Sequence, residues 1–308
     1  MDNKVTDVVT GKTGAKTDTQ DPQNIPMEVD LQDQGPFAQH YAEDPSSLYC
    51  DALNEQNVNQ IADGKKMDIV VLVGFEEYGK STFASSLYYS FFSKETFCNH
   101  VMYDADTYSG FERRLLIRGM KTNPEVKTQR TIKGENPLLA MSLYSETNGK
   151  YKLIVSDRSG EDYSGFTGTD EEILDNQILS VANHIVFFID CERMVDNFAK
   201  LRHGYNNCLK SMVEHDMLAE NAHIVLAFNK YDRRKDDLEY GGQKKKTEEL
   251  FRTLLNGRSF DCFEIDSTGA SDDFSSVASL TQALLLNVKT AEGEKRSLLD
   301  WVNKELDK

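Results

Sequence analysis

Cysteine is sparse in this chain and never closely paired. Cys50, Cys98, Cys191, Cys208 and Cys262 are scattered, with no C-x-x-C among them. That distribution argues against a disulfide framework and against a zinc site, and predicts reduced thiols in a cytoplasmic protein. Long apolar runs are also missing, so no membrane insertion is expected, and the polar start does not read as a signal peptide. Positive charge is in deficit: 35 Lys and Arg face 51 Asp and Glu, a formal net charge of −16. Such a chain is unsuited to nonspecific binding of nucleic acid or anionic membranes, and no nucleic-acid partner is expected. A local nest of backbone N–H groups can still hold a phosphate inside an acidic protein. The six histidines show no metal-ligand spacing. No Ser-His-Asp or Cys-His arrangement stands out, and no internal repeat is visible. What is present is 308 residues, 39% of them hydrophobic, enough for one large domain or two small ones.

The first 65 residues differ in kind from the rest. They are rich in Asp, Gln, Thr and Asn and have few apolar positions in any period. Met1–Tyr41 is expected to be disordered, and Ser46–Ile61 to form a short helix. From residue 66 to 308 the pattern is that of a folded domain. Apolar runs at Asp68–Val73, Leu138–Tyr144, Tyr151–Ser156, His184–Asp190, His223–Asn229 and Phe260–Asp266 alternate with helical periodicity. The helical stretches are Lys80–Ser93, Gly110–Met120, Glu171–Ala182, Glu192–His215, Thr247–Leu255 and Phe274–Val288. A last helix, Ser297–Leu306, carries the single tryptophan, Trp301. This alternation predicts an α/β fold of three layers, a mostly parallel sheet with helices on both faces. The Asn-Gly turn in "SETNGK" joins two of the runs as a hairpin, so one strand should be antiparallel.

Between the first run and its helix lies Gly74-x4-Gly79-Lys80-Ser81, a G-x-x-x-x-G-K-[ST] sequence. Glycines let the backbone turn so that successive N–H groups face one point, and the following helix adds its positive N-terminus. Gly74, Glu77, Tyr78, Gly79, Lys80, Ser81 and Thr82 are therefore expected to bind phosphate. Lys80 should reach the β- and γ-oxygens and the Ser81 hydroxyl should ligate Mg²⁺. The loop's Glu76 and Glu77 place negative charge near an anion, which weakens binding unless they point outward.

Two further strand ends identify the nucleotide. In "YKLIVSDRSGED", Asp157 follows a strand and precedes Gly160. The acid can hold Mg²⁺ through water, and Gly160 can offer its N–H to a γ-phosphate. In "HIVLAFNKYD", a strand ends in Asn229-Lys230-Tyr231-Asp232. The Asp232 carboxylate can accept from guanine N1–H and N2–H₂, a donor pair adenine lacks. Asn229 would tie this loop to the phosphate loop, and the Lys230 stem would lie on the base. All three motifs fall at strand C-termini, where ligands bind in such sheets.

With these motifs the chain resembles P-loop GTPases of the Ras-like, translation-factor-related class over roughly Met67–Val288. "DADTYSGFERRLLIRG", "QRTIKG" and "DRSGED" are more narrowly similar to the bacterial double-GTPase families of conflict and defence loci. The resemblance implies the P-loop NTPase fold, GTP and GDP as ligands, Mg²⁺ as cofactor, a molecular switch, a protein effector or activating protein, and a nucleotide-dependent dimer. It implies a switch threonine that completes the Mg²⁺ shell, for which Thr131 is the candidate and Thr128 the alternative. It also implies a base-side loop, matched loosely by Ser267 and Thr268. A helical insert at about 104–120 precedes the switch threonine. Its basic and apolar run Arg113–Arg118 is either an effector surface or a cover for the sheet.

Catalysis would fall to Lys80, Thr131 and Glu161. Glu161 stands where Ras-like proteins carry a water-orienting glutamine. A carboxylate can accept a proton from water but donates no N–H, so a pseudo-GTPase that binds without turnover is the rival reading. An ATP-dependent enzyme is disfavoured by Asp232. Arg158 is either a cis arginine or a solvent-facing partner of Glu161 or Asp162. "RRKDD" and "QKKK", at 233–237 and 243–246, read as a solvated linker.

Overall fold

A computed structural model describes residues 52–54, 58–61, 66–115, 131, 133–134, 136–269 and 271–286. The expected disordered stretch Met1–Tyr41, the insert beyond Leu115, Thr128 and the C-terminal helix with Trp301 lie outside these residues. All the described residues belong to a unit spanning Asp44–Lys308.

Seven described strands form one sheet: β1 (Lys66–Val73), β2 (Val101–Asp104), β3 (Leu138–Ser145), β4 (Gly149–Ser156), β5 (His184–Asp190), β6 (His223–Asn229) and β7 (Asp261–Ile265), in the order β2-β3-β4-β1-β5-β6-β7. β1 pairs in parallel with β4 and β5, and β5, β6 and β7 continue in parallel. β3 runs antiparallel to both β2 and β4, so it alone is reversed in this sheet. The hairpin at "SETNGK" is the cause. Gly149 takes φ +65° there, which glycine adopts without steric cost.

The helices are α1 (Lys80–Ser93), α2 (Tyr108–Arg114), α3 (Gly160–Ser164), α4 (Asp170–Leu174), α5 (Ile178–Val181), α6 (Cys191–Asp196), α7 (Phe198–Glu214), α8 (Tyr240–Leu254) and α9 (Ser275–Leu286). Seven of them fall into two groups, α1 with α2 and α9, and α7 with α3, α6 and α8. Between them the sheet is buried: Val70, Val71, Leu72 and Val73 of β1 and every position of β5 are sealed from solvent. Parallel strands covered on both faces need such unbroken apolar runs. Full burial of a side chain such as Phe187 or Phe188 stabilises by about 2–3 kcal/mol.

Three local expectations are corrected, and one strand was not foreseen. The helix expected at Glu192–His215 is two helices, because the Asn197 side chain accepts from the Lys200 N–H at 3.1 Å and caps α7 there. α8 begins at Tyr240 rather than Thr247 and runs through Gly241 and Gly242. Tyr240 is buried and donates to Glu264 at 3.0 Å, and this tertiary anchor overrides glycine's low helix propensity. β2 is a short edge strand with three partly buried residues and an exposed Asp104, so it lacks an apolar signature. In the stretch Ser46–Ile61, the described residues Val58–Ile61 form a single 3₁₀ turn and Leu53 pairs with Leu138 of β3. Leu53, Val58 and Ile61 are buried in the core.

Candidate functional site

The C-terminal ends of β1, β4, β5, β6 and β7 open on one edge of the sheet, and the loops that follow them meet there. After β1 the chain turns through Gly74–Gly79, with Glu77 at φ +65° and Gly79 at φ +90°. Lys80 opens α1 and is almost fully buried. Its Nζ folds back on the loop and donates to the carbonyls of Gly74 (2.7 Å) and Phe75 (3.2 Å). Burial lowers its pKa to about 8, although Asp157 and Asp162 pull it upward. Glu77 points outward and pairs with Arg193 at 2.6 Å, and that guanidinium also lies 5.5 Å from the Tyr78 ring centre. The loop acid is thus neutralised on the far side from the nest.

After β4, Asp157 is sealed from solvent. Its Oδ1 accepts from the Ser81 hydroxyl at 2.8 Å and its Oδ2 from the Thr131 hydroxyl at 3.2 Å. The structure therefore brings Ser81 and Thr131, two of the residues expected at the metal, onto the third, Asp157. Their donor set, two hydroxyls and a carboxylate, is all oxygen and suits a hard cation such as Mg²⁺. Among the described residues, no group of three or more His, Cys, Asp and Glu is placed to hold a metal.

Gly160 starts α3 against the phosphate loop. A Cβ there would stand 2.2 Å from the Glu76 nitrogen and 2.3 Å from the Phe75 carbonyl carbon, so the close approach requires glycine. Ser159 caps α3 by accepting from the Glu161 N–H at 3.3 Å, and the Glu161 side chain is exposed. Arg158 pairs with Asp162 as one reading had it, but it does not face solvent. It is buried, with Nε 3.3 Å from Asp162 and Nη1 donating to the Asp175 carbonyl at 2.5 Å.

After β6, Asn229 donates from Nδ2 to the Tyr78 carbonyl at 2.8 Å and accepts from the Ser267 N–H at 3.0 Å. Gly79 makes room for it, since a Cβ there would stand 2.1 Å from that Nδ2. Lys230 takes φ +60° and donates to Asp190 at 2.5 Å. Asp232 sits half-buried in the turn Tyr231–Arg233. Burial, and after it the neighbouring Asp266, pushes its pKa up. Thr268 donates from both N–H (2.9 Å) and hydroxyl (2.6 Å) to Asp266.

Four residues here escaped sequence reasoning. Asp190 is fully buried and anchors Lys230. It faces Asn229 across the β5–β6 register, and its place at a strand C-terminus was the available signal. Asp266 follows β7 in the same way and accepts from Thr268 and from the Ser271 N–H. Arg193 reaches the phosphate loop from α6. Arg114, inside the basic run of the insert, turns inward: it is buried, and its Nε donates to Asp157 at 2.9 Å. Nothing in the sequence separates it from exposed Arg113.

A glycine-bearing loop between a buried parallel strand and a helix, with D-x-x-G and N-K-x-D at the ends of two other strands of the same sheet edge, defines a P-loop GTPase. A family model described as Double-GTPase 2 matches residues 68–286, and the chain belongs to that family. The membership supports binding of GTP. No curated protein matches the chain. Among solved structures it is similar to the S. cerevisiae Ski7 GTPase-like domain bound to GDP and inorganic phosphate, at TM-score 0.48 and 15% identity, over 76% of this chain and 53% of that one. It is also similar to translation elongation factor SelB from Methanococcus maripaludis with the GTP analogue GPPNHP, at TM-score 0.41 and 12% identity, over 75% of this chain and 36% of that one. The chain thus spans about a third to a half of these proteins. Among the described residues no helix is long and apolar enough to cross a membrane, and the four described cysteines are free thiols.

Proposed function

We propose that the chain is a Mg²⁺-dependent molecular switch that binds and hydrolyses GTP. The observation that carries this reading is the linkage of three loops at one sheet edge. Ser81 joins the phosphate loop to Asp157 at 2.8 Å, and Asn229 joins it to the N-K-x-D loop at 2.8 Å. In this reading the N–H groups of Gly74–Thr82 receive the phosphates, and Lys80 exchanges its two loop carbonyls for phosphate oxygens. Ser81 and Thr131 ligate the metal, and Asp157 holds it through water. Bound there, the cation neutralises phosphate charge. Gly160 offers its N–H to the γ-phosphate, and release of Thr131 after hydrolysis is the switching event. Asp232 reads guanine, the Lys230 stem lies on the base, and Ser267 and Thr268 line its edge. Glu161, one residue beyond Gly160, accepts the proton of the attacking water. An effector or activating protein would read the switch. The wider setting in bacterial conflict, defence or signalling rests on the sequence resemblance alone.

Calorimetry with GTP and ATP, followed by single-turnover hydrolysis at saturating protein and Mg²⁺, tests the reading. GTP should bind in strong preference to ATP. Turnover should be slow, on the order of 10⁻⁴ s⁻¹, and Glu161→Ala should slow it about tenfold, or about 1.4 kcal/mol of barrier. Equal affinity for ATP would overturn the guanine assignment. The exposure of Glu161 favours a second reading, a binding module that recruits a partner without turnover, and background rates in both forms would select it.

A further inference from the structure

We infer that Arg114 sets the divalent-metal dependence of the nucleotide site. Its guanidinium neutralises Asp157 in the nucleotide-free chain and gives that carboxylate up when a cation binds with the phosphates. The inference deepens the function proposed above and rests on it.

A carboxylate sealed from water requires a compensating charge. Asp157 has one in direct contact, Arg114 Nε at 2.9 Å on Oδ2. The same oxygen accepts from Thr131, so the guanidinium stands on the face of the carboxylate where the candidate metal ligand also lies. The other charges nearby are engaged elsewhere. Lys80 Nζ is bonded to the Gly74 and Phe75 carbonyls, and Arg158 is paired with Asp162.

Arg114 is delivered by a packed element. It is the last residue of α2, its Nη1 donates to the Gly110 carbonyl at 3.0 Å, and its own carbonyl accepts from the Ser85 hydroxyl at 2.7 Å. Ser85 lies one turn beyond Ser81 on α1. The segment is pinned by the buried Asp106–Lys152 pair at 2.6 Å and by Phe111 stacked on Tyr88 at 4.6 Å. The guanidinium is therefore preorganised on Asp157.

A divalent cation held by the Ser81 hydroxyl beside Asp157 would meet this guanidinium at close range in a poorly screened site. Like charges there repel strongly. Either the cation binds weakly or Arg114 withdraws. Withdrawal breaks the contact that ends α2, so the insert helix becomes an element that registers whether the metal is bound.

The test uses the full chain loaded with a fluorescent GDP analogue. Dissociation of the analogue is followed while Mg²⁺ is titrated against wild type, Arg114→Met and Arg114→Lys. Removing the competitor should move the Mg²⁺ midpoint of Arg114→Met to at least about fivefold lower concentration, with Arg114→Lys within about twofold of wild type. A midpoint in Arg114→Met that is unchanged or higher overturns the inference. Because that variant leaves a buried carboxylate without its counter-charge, a second measurement uses the unaltered chain. Amides 108–115 should exchange hydrogen at least about fivefold faster with Mg²⁺ and GDP than with GDP and a chelator; equal or slower exchange overturns the inference as well. If GDP fails to bind under every condition, the proposed function falls and the inference with it. If GDP binds and the midpoints coincide, the inference alone falls.

Discussion

Asn229 holds the phosphate loop and the base loop together: its Nδ2 donates to the Tyr78 carbonyl at 2.8 Å, while its Oδ1 accepts from the Ser267 N–H at 3.0 Å. One buried amide thus spans three loops from β1, β6 and β7. Asn229→Ala leaves a carbonyl and an N–H without these partners, at about 1–3 kcal/mol each. GTP affinity by calorimetry should fall at least about tenfold. An unchanged affinity would mean that the loops hold their geometry without this residue.

Asp232→Asn replaces an acceptor oxygen with an NH₂ that faces a guanine donor. GTP affinity should drop by about 2 kcal/mol. Xanthosine triphosphate carries an acceptor carbonyl at the corresponding ring position and should recover affinity in the variant, which a misfolded protein would not show. Burial and Asp266 raise the Asp232 pKa, and reading guanine requires the ionised form. GTP affinity should therefore weaken on acidification at a higher pH than for an ordinary aspartate. Parallel titrations of both nucleotides at several pH values check both points.

Gly160→Ala forces a methyl group to within 2.2 Å of the phosphate-loop backbone at Glu76. Overpacking of this kind costs about 1–3 kcal/mol. The thermal midpoint should fall by about 4–10 °C, and nucleotide affinity should fall with it because the loop itself is displaced. A midpoint within a degree of wild type would show that the two loops do not meet this closely.

The buried Lys80 makes the stability of the nucleotide-free chain depend on pH. Its pKa is lowered from 10.5 to about 8 by burial. Between those values the unfolded chain still holds the proton and the folded chain has lost it, so stability rises with pH across that window. Denaturant unfolding at pH 7.5, 8.5 and 9.5 should show the rise in wild type, and Lys80→Met should lack it. Parallel pH profiles for the two proteins would remove the assignment.

What was legible in the sequence follows from how each element is buried. β1, β4 and β6 are buried over most of their length, so they had to be written as largely apolar runs, and the three motifs could be read at their ends. β2 is an edge strand with partly buried residues and left no such run. The break at Asn197 and the early start of α8 at Tyr240 depend on one cap and one tertiary hydrogen bond, neither of which has a periodicity. Arg114 and Arg113 are adjacent and chemically identical. Which of them turns inward is decided by the position of Asp157, 43 residues away in sequence. The residues that carry motifs were legible, and those that act by long-range contact were not.

The strand order also dictates when the site can exist during synthesis. β1 and its phosphate loop leave the ribosome first, yet both lateral partners of β1, β4 and β5, are encoded far downstream. Asn229 and Ser267, which fasten the phosphate loop, come later still. At about 5–20 residues per second, roughly eight to thirty seconds separate the emergence of β1 from that of Asn229. Until β4 and β5 follow, an apolar strand has exposed edges, and until Asn229 and Ser267 follow, the nascent chain has no complete pocket. Nucleotide therefore cannot template early folding, and only a chain translated through the β7 loop can be rescued by GTP from aggregation or proteolysis.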